Sequence, residues 1–212
     1  MAVAARGPAE VISGAAEPGA LFPRNALVGV VKTFGIDAVV AYREDECEVR
    51  RRAHVGTPHL KGRRVFDLLM NLPLGEPVPV ASLSSVEQQA LRRIPKGVLT
   101  RHQDCVVRAA AQPIRVDLAV VPGKSWIQAK EKAEWFTPFC ARAVLLDRPV
   151  RRRDDAVLEA EFYGIGLLIA AGADVEVVVP PRPFARRRHT AAAWQFAEES
   201  FQQLTKRVGV KQ

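Results

Sequence analysis

The segment Pro113–Lys132, PIRVDLAVVPGKSWIQAKEK, constrains this chain more than any other. Ile114, Val116, Leu118 and Val120 alternate with Arg115, Asp117 and Ala119, the period-two pattern of a half-buried strand. Pro122-Gly123 then breaks the chain as a turn signal. Beyond it, Trp126, Gln128 and Lys130 fall on one side of an extended chain, and Ile127, Ala129 and Glu131 on the other. The segment predicts a hairpin with Val121 opposite Trp126 and Asp117 opposite Lys130. Asp117, Gln128 and Lys130 then share one face, a placement that a one-residue slip of register would undo.

That trio has a chemical meaning. A carboxylate beside a second oxygen ligand can hold Mg²⁺, which takes few protein ligands and keeps several waters. A lysine next to them orients water or offsets charge developing on a phosphate. Asp117 followed by Gln128-Ala129-Lys130 resembles the hairpin of the PD-(D/E)XK nuclease superfamily, the restriction-endonuclease-like fold, in which an Asp on one strand precedes (D/E)-x-K on the next. Val116 stands where the motif name has Pro, and Gln128 replaces the second acid with a weaker oxygen ligand. The resemblance implies Asp117 and Gln128 as ligands of Mg²⁺ or Mn²⁺ and Lys130 as the group that activates water. Family members often carry a further acid on the helix before the strands, and Glu87 occupies that place here.

The elements around the hairpin are read from caps and periodicity. Residues 1–22 are rich in Ala, Gly and Pro and predict a disordered leader. Asn25 is expected to cap a short helix through Phe34, before a strand at Ile36–Tyr42. The charged run Glu44–Arg52 extends that strand or forms a loop, and Arg64–Leu72 is a short helix. Ser84 or Ser85 caps a helix to about Ile94, followed by a strand over Val98–Ala109. Phe136–Val150 fits a strand at Ala143–Leu146 or a short helix capped by Thr137. Asp154 caps a long helix over Asp155–Ala171, and Asp174–Val179 is a strand. A last helix from Thr190 carries Trp194, Ala197, Phe201 and Leu204 at helical spacing. From residue 84 to 179 this gives helix, three strands, helix, strand: the αβββαβ core that the resemblance implies. The expected fold is α/β (α+β), with a leader over 1–22, an N-terminal extension over 23–80 and a core over 81–212 closed by a packing helix.

Composition narrows the partners. The formal net charge is +8, and arginines come in runs, including Arg151-Arg152-Arg153 and Arg186-Arg187-Arg188. Guanidinium groups grip phosphates bidentately, so a polyanion, above all DNA, is the expected partner. The two runs, with Lys132, are the expected phosphate contacts, positioning the duplex without reading its sequence. Residues 23–80 are expected to serve as an interaction module, for a second copy or another protein. No apolar run reaches the ~20 residues of a membrane span, and the N-terminus lacks a signal-peptide core, so a cytoplasmic location is expected. Three cysteines at wide spacing suggest neither disulfides nor a zinc site. Two functions compete: a Mg²⁺-dependent DNA endonuclease, or a DNA-binding protein without catalysis. For the second, Arg64–Leu72, Ser84–Ile94 and the Val98–Val107 strand form two helices and a wing, with Arg92, Arg93 and Lys96 on phosphates. The connector LPLGEPVPVAS is long for a helix-turn-helix.

Overall fold

The structure, a computed structural model, describes residues 7–13, 21–172, 174–186 and 188–208. The chain forms two compact units. The first draws on Met1–Arg43, Val116–Arg186 and Lys206–Gln212, the second on Glu44–Arg115 and Arg187–Thr205. The expected boundary after residue 80 therefore falls inside the second unit. The mixed α and β class holds. Among the described residues no helix is long and apolar enough to cross a membrane.

The first unit is built on a six-stranded sheet in the order β1-β2-β6-β7-β8-β9. Its strands are β1 (Leu27–Thr33), β2 (Ile36–Glu44), β6 (Ile114–Gly123), β7 (Ala141–Leu146), β8 (Gly166–Ala171) and β9 (Asp174–Val179). β1 and β2 are antiparallel. Residues 27–33 are thus a strand and not the helix expected after Asn25. The two-residue turn between them, Phe34 at φ 54° and Gly35 at φ 73°, has the positive φ pair of a type I′ hairpin, whose twist matches that of the strands. β6, β7 and β8 are parallel, and β9 returns antiparallel to β8.

Helix α5 (Trp126–Glu134) joins β6 to β7, and α6 (Arg153–Tyr163) joins β7 to β8. Both crossovers advance in one direction along the sheet, so right-handed connections put both helices on one face. Gly123 lets α5 lie close, since a Cβ there would meet the Ala129 Cβ at 2.7 Å. The other face carries Val39, Ala41, Leu118, Val120, Ala143, Leu145 and Leu168, covered by Ile12, Leu21 and Phe22. Part of the expected leader is therefore core: Pro8–Ser13 form helix α1, and its Ile12 is fully buried.

Two expectations on this unit are corrected. Residues 126–134 are a helix where the second hairpin strand was expected. The long helix expected over 155–171 is instead α6, starting at Arg153, followed by strand β8. Gly164, left-handed at φ 66°, closes α6 by donating its N–H to the Ala160 and Glu161 carbonyls. Asp154 lies in the first turn of α6 and is not its cap.

The second unit contains α2 (Glu46–Val55), α3 (Arg63–Asn71), α4 (Ser85–Leu91), most of α7 (Ala191–Val208) and a three-stranded sheet. That sheet orders β3 (Pro77–Pro79), β5 (Cys105–Arg108) and β4 (Leu99–His102) as β3-β5-β4, all antiparallel. The charged run after β2 is neither strand nor loop but α2, capped by Asp45, whose side chain accepts from the Glu48 N–H. The strand expected over 98–109 is the β4–β5 hairpin, and its partner is β3, not β6. The β–β–β run of the expected core is thus divided between two sheets. Phe66, Leu69, Val98 and Trp194 form one apolar cluster, and Leu68, Leu72, Leu91 and Val106 another. On α7, Trp194, Ala197, Phe201 and Leu204 are all buried, and Phe196 with them.

Charges are also enclosed in this unit. Arg52, with Nε bonded to Glu48 at 2.6 Å, sends Nη1 and Nη2 to Glu198 at 2.9 and 2.6 Å. Burial pushes the Glu48 carboxyl up, but hydrogen bonds from Arg51 and Arg52 outweigh it and hold the group below its ordinary value. A depressed folded value means that the stabilisation is complete above the unfolded value near ~4.3 and is lost as pH falls through the folded one. Thermal unfolding followed against pH should therefore hold steady from neutrality to about pH 5 and fall below about pH 4. Glu48→Gln should flatten that decline. An unchanged acid limb in the variant would assign the loss to other groups.

Candidate functional site

Asp117 sits in mid-β6 with its side chain 10% exposed. Both of its oxygens accept from one guanidinium, Arg43 Nε and Nη2, each at 2.8 Å. The Asp117 hydrogen bond raises Arg43 above its ordinary value. This fork-on-carboxylate geometry takes one lone pair on each oxygen and sets a fixed positive charge against the carboxylate, which disfavours a metal there.

Lys130 does not meet Asp117 through the expected hairpin. It lies on α5 and donates to Glu159 Oε2 of α6 at 2.7 Å, with Nζ 5.0 Å from the centre of the Tyr163 ring. Trp126 Nε1 donates to the same Glu159 oxygen at 3.0 Å. The hydrogen bond to Glu159 raises Lys130 above its ordinary value, so this lysine is held as an ammonium and not poised as a base.

Gln128 is exposed in the first turn of α5. The strand from Asp117 to Gly123 spans about 20 Å at ~3.3 Å per residue, and Gln128 lies beyond the turn that follows. The pair Asp117 and Gln128 therefore does not fit a shared Mg²⁺ or Mn²⁺, and no step is derived through one.

Glu87 belongs to the second unit and serves its own helix. It completes a capping box with Ser84 and accepts from Asn71 Nδ2 at 2.8 Å. The Ser84 hydroxyl and the Asn71 amide hold its carboxyl below the ordinary value. Its role is to start α4.

The expected phosphate contacts are only partly free. Arg152 pairs with Asp155 and Arg153 with Glu176, each at 2.6 Å. Arg151, Arg188 and Lys132 are exposed. Arg186 is half-buried, near enough to Cys140 to affect its titration. Arg187 lies outside the described residues. Burial pushes the Cys140 thiol far above its ordinary value, which excludes a resting thiolate at neutral pH.

A second constellation does assemble. After α4, the segment RRIPKGVLTRH carries Arg92, Arg93, Lys96 and Arg101 and no acid. Arg101 Nη2 donates to the Leu91 carbonyl at 3.4 Å, which draws the β4 arginine to the end of α4. Among the described residues no acid pairs with Arg92, Arg93 or Lys96, all of them exposed. Arg101, His102 and Gln103 are exposed around the hairpin tip, where Gln103 adopts φ 50°. Arg92, Arg93 and Lys96 are the cations expected for a winged helix, and Arg101 joins them here. The signal available was the acid-free charge run itself.

At the C-terminal ends of β6, β7 and β8 the first unit has a cavity of about 450 Å³ lined by Pro122, Gly123, Lys124, Leu145 and Asp147 among others. Comparison of the chain with family models, curated proteins and solved structures found no match.

Proposed function

We propose that this protein binds DNA through the α3–α4–hairpin face of its second unit and does not cut it. The observation that carries this reading is the antiparallel order β3-β5-β4 flanking α3 and α4. β3 absorbs the long connector between the two helices, and the β4–β5 hairpin follows α4 as a wing. Helix, edge strand, helix and two-stranded wing is the winged variant of helix-turn-helix docking, with a helix directed to a groove and cations on the flanking phosphates. Arg92, Arg93, Lys96 and Arg101 supply those cations.

The absence of cutting is supported by the first unit. Its elements α1, β1, β2, β6, α5 and β7 repeat the αβββαβ order of the nuclease resemblance on segments other than those expected. In that order Lys124 follows the third strand, and Pro122 stands two positions before it, where an acid-x-lysine motif has its acid. Proline offers no side-chain oxygen, and Asp117 further back is held by Arg43. This reads as a nuclease-like scaffold without the acid pair of the motif.

The test is anisotropy of a labelled DNA duplex across a salt series, beside Arg92→Ala/Arg93→Ala/Lys96→Ala. Each phosphate contact contributes about 0.9 to the slope of log K against log salt. The triple variant should lose roughly 2–3 from that slope and about 10–100-fold in affinity near 0.1 M salt. The same duplex with Mg²⁺ or Mn²⁺ should stay intact. Equal binding by both proteins would remove this face from the reading, and metal-dependent cutting would restore the nuclease.

A further inference from the structure

The outer faces of α5 and α6 leave large apolar side chains in water. Ile127 is 62% exposed and Trp135, just past α5, 63%; on α6, Leu158 is 66% and Phe162 77% exposed. The helices that carry them lie side by side and make one ridge. Lys130 and Trp126 of α5 both bond Glu159, the neighbour of Leu158, and Lys130 also lies over Tyr163. The Tyr163 ring meets Phe162 edge-on at 5.0 Å. Trp135 is further held by a stack on Phe34, with ring centres 6.0 Å apart. Scaling from the 150–250 Å² of an aromatic side chain, these four residues expose on the order of 500 Å² of apolar surface. That is the size of the largest apolar patch on a typical monomer, about 300–600 Å², which is often functional.

We infer that this ridge is the interface of a homodimer, with α5 of one protomer against α6 of its partner. The area agrees. A standard interface takes about 800 Å² from each partner, and about 65% of a homodimer interface is apolar, close to the ~500 Å² available here. The charges agree as well. Lys124 precedes α5 and Lys132 lies near its end, with the acids Glu131 and Glu134 nearer Ile127; Asp154 and Glu161 flank Leu158 on α6, and the two lysines and these two α6 acids are exposed and without a counter-ion among the described residues. A two-fold axis running along the helices sets α5 against the partner's α6 and brings each unpaired lysine towards an unpaired acid. Such an isologous contact closes on itself. It also moves self-association from residues 23–80 to α5 and α6.

The inference is independent of DNA binding, and the full-length chain tests it by sedimentation equilibrium at micromolar concentrations. The wild type should sediment as a dimer. Leu158→Asp/Phe162→Asp should sediment as a monomer with unchanged circular dichroism, because both sites are exposed and the fold does not need them. Lys132→Glu should weaken the dimer at least several-fold, and adding Glu161→Lys should recover most of the loss. A monomeric wild type overturns the inference. A dimer that persists in Leu158→Asp/Phe162→Asp overturns it too, and points to another surface.

Discussion

Glu198→Ala is expected to lower the stability of the second unit by about 3–5 kcal/mol, the range for breaking a buried ion pair from one side. For a chain of this length that is a fall of roughly 6–20 °C in the unfolding midpoint. Glu198 and Arg52 are 1% and 5% exposed. The carboxylate accepts two bonds from Arg52, one from Trp194 Nε1 at 3.3 Å and one from the Leu60 N–H at 3.3 Å. Truncation leaves three kinds of donor without their acceptor. Arg52 keeps only Glu48 and the Ala111 carbonyl. The magnitude reflects the stranded guanidinium more than the worth of the pair. A double variant, Arg52→Met with Glu198→Leu, should therefore be less damaged than Glu198→Ala alone. Calorimetry of the three proteins decides it: if Glu198→Ala unfolds at the wild-type midpoint, Arg52 reaches solvent in the native state.

Arg43→Ala is expected to cost about 2 kcal/mol, and Asp117→Ala less. The asymmetry follows from exposure: the Arg43 side chain is 33% open to water and can resolvate, whereas Asp117 at 10% cannot. Chemical denaturation of the two variants measures this. The result bears directly on function, because an unpaired catalytic carboxylate is usually neutral or costly to stability, so that its removal leaves the fold unharmed or firmer. A stabilised Asp117→Ala would return Asp117 to the list of site residues. A destabilised one makes it a tie between β2 and β6, neighbours in the sheet.

Local signals carried much of the fold. β2, β9 and α3 follow from alternation or helical spacing, and α4 begins at a Ser84 cap that its sequence announces. The central segment misled because WIQAKEKAE satisfies both periods. Its helical face is Trp126, Ala129 and Ala133, and small alanines give weak contrast against the alternation of Trp126, Gln128 and Lys130. What favours the helix is the close approach that Gly123 permits, a tertiary fact. β8 was hidden in a similar way: GLLIAA, buried on both faces of a parallel sheet, has no polar alternation to mark it as strand, and Gly164, inside the helix expected over 155–171, is in fact its stop. The candidate site was the least legible part. The partner of Asp117 is Arg43 and that of Lys130 is Glu159, 74 and 29 residues away, and no spacing rule reaches so far.

The ion pair between Arg52 and Glu198 spans 146 residues of chain, and between them runs most of the first unit. During synthesis at about 5–20 residues per second, α2 waits roughly 7–30 s before its acid is made. Throughout that interval the nascent second unit exposes both a guanidinium destined for burial and the apolar seat of Trp194. A ribosomal pause before codon 198 would lengthen the exposure.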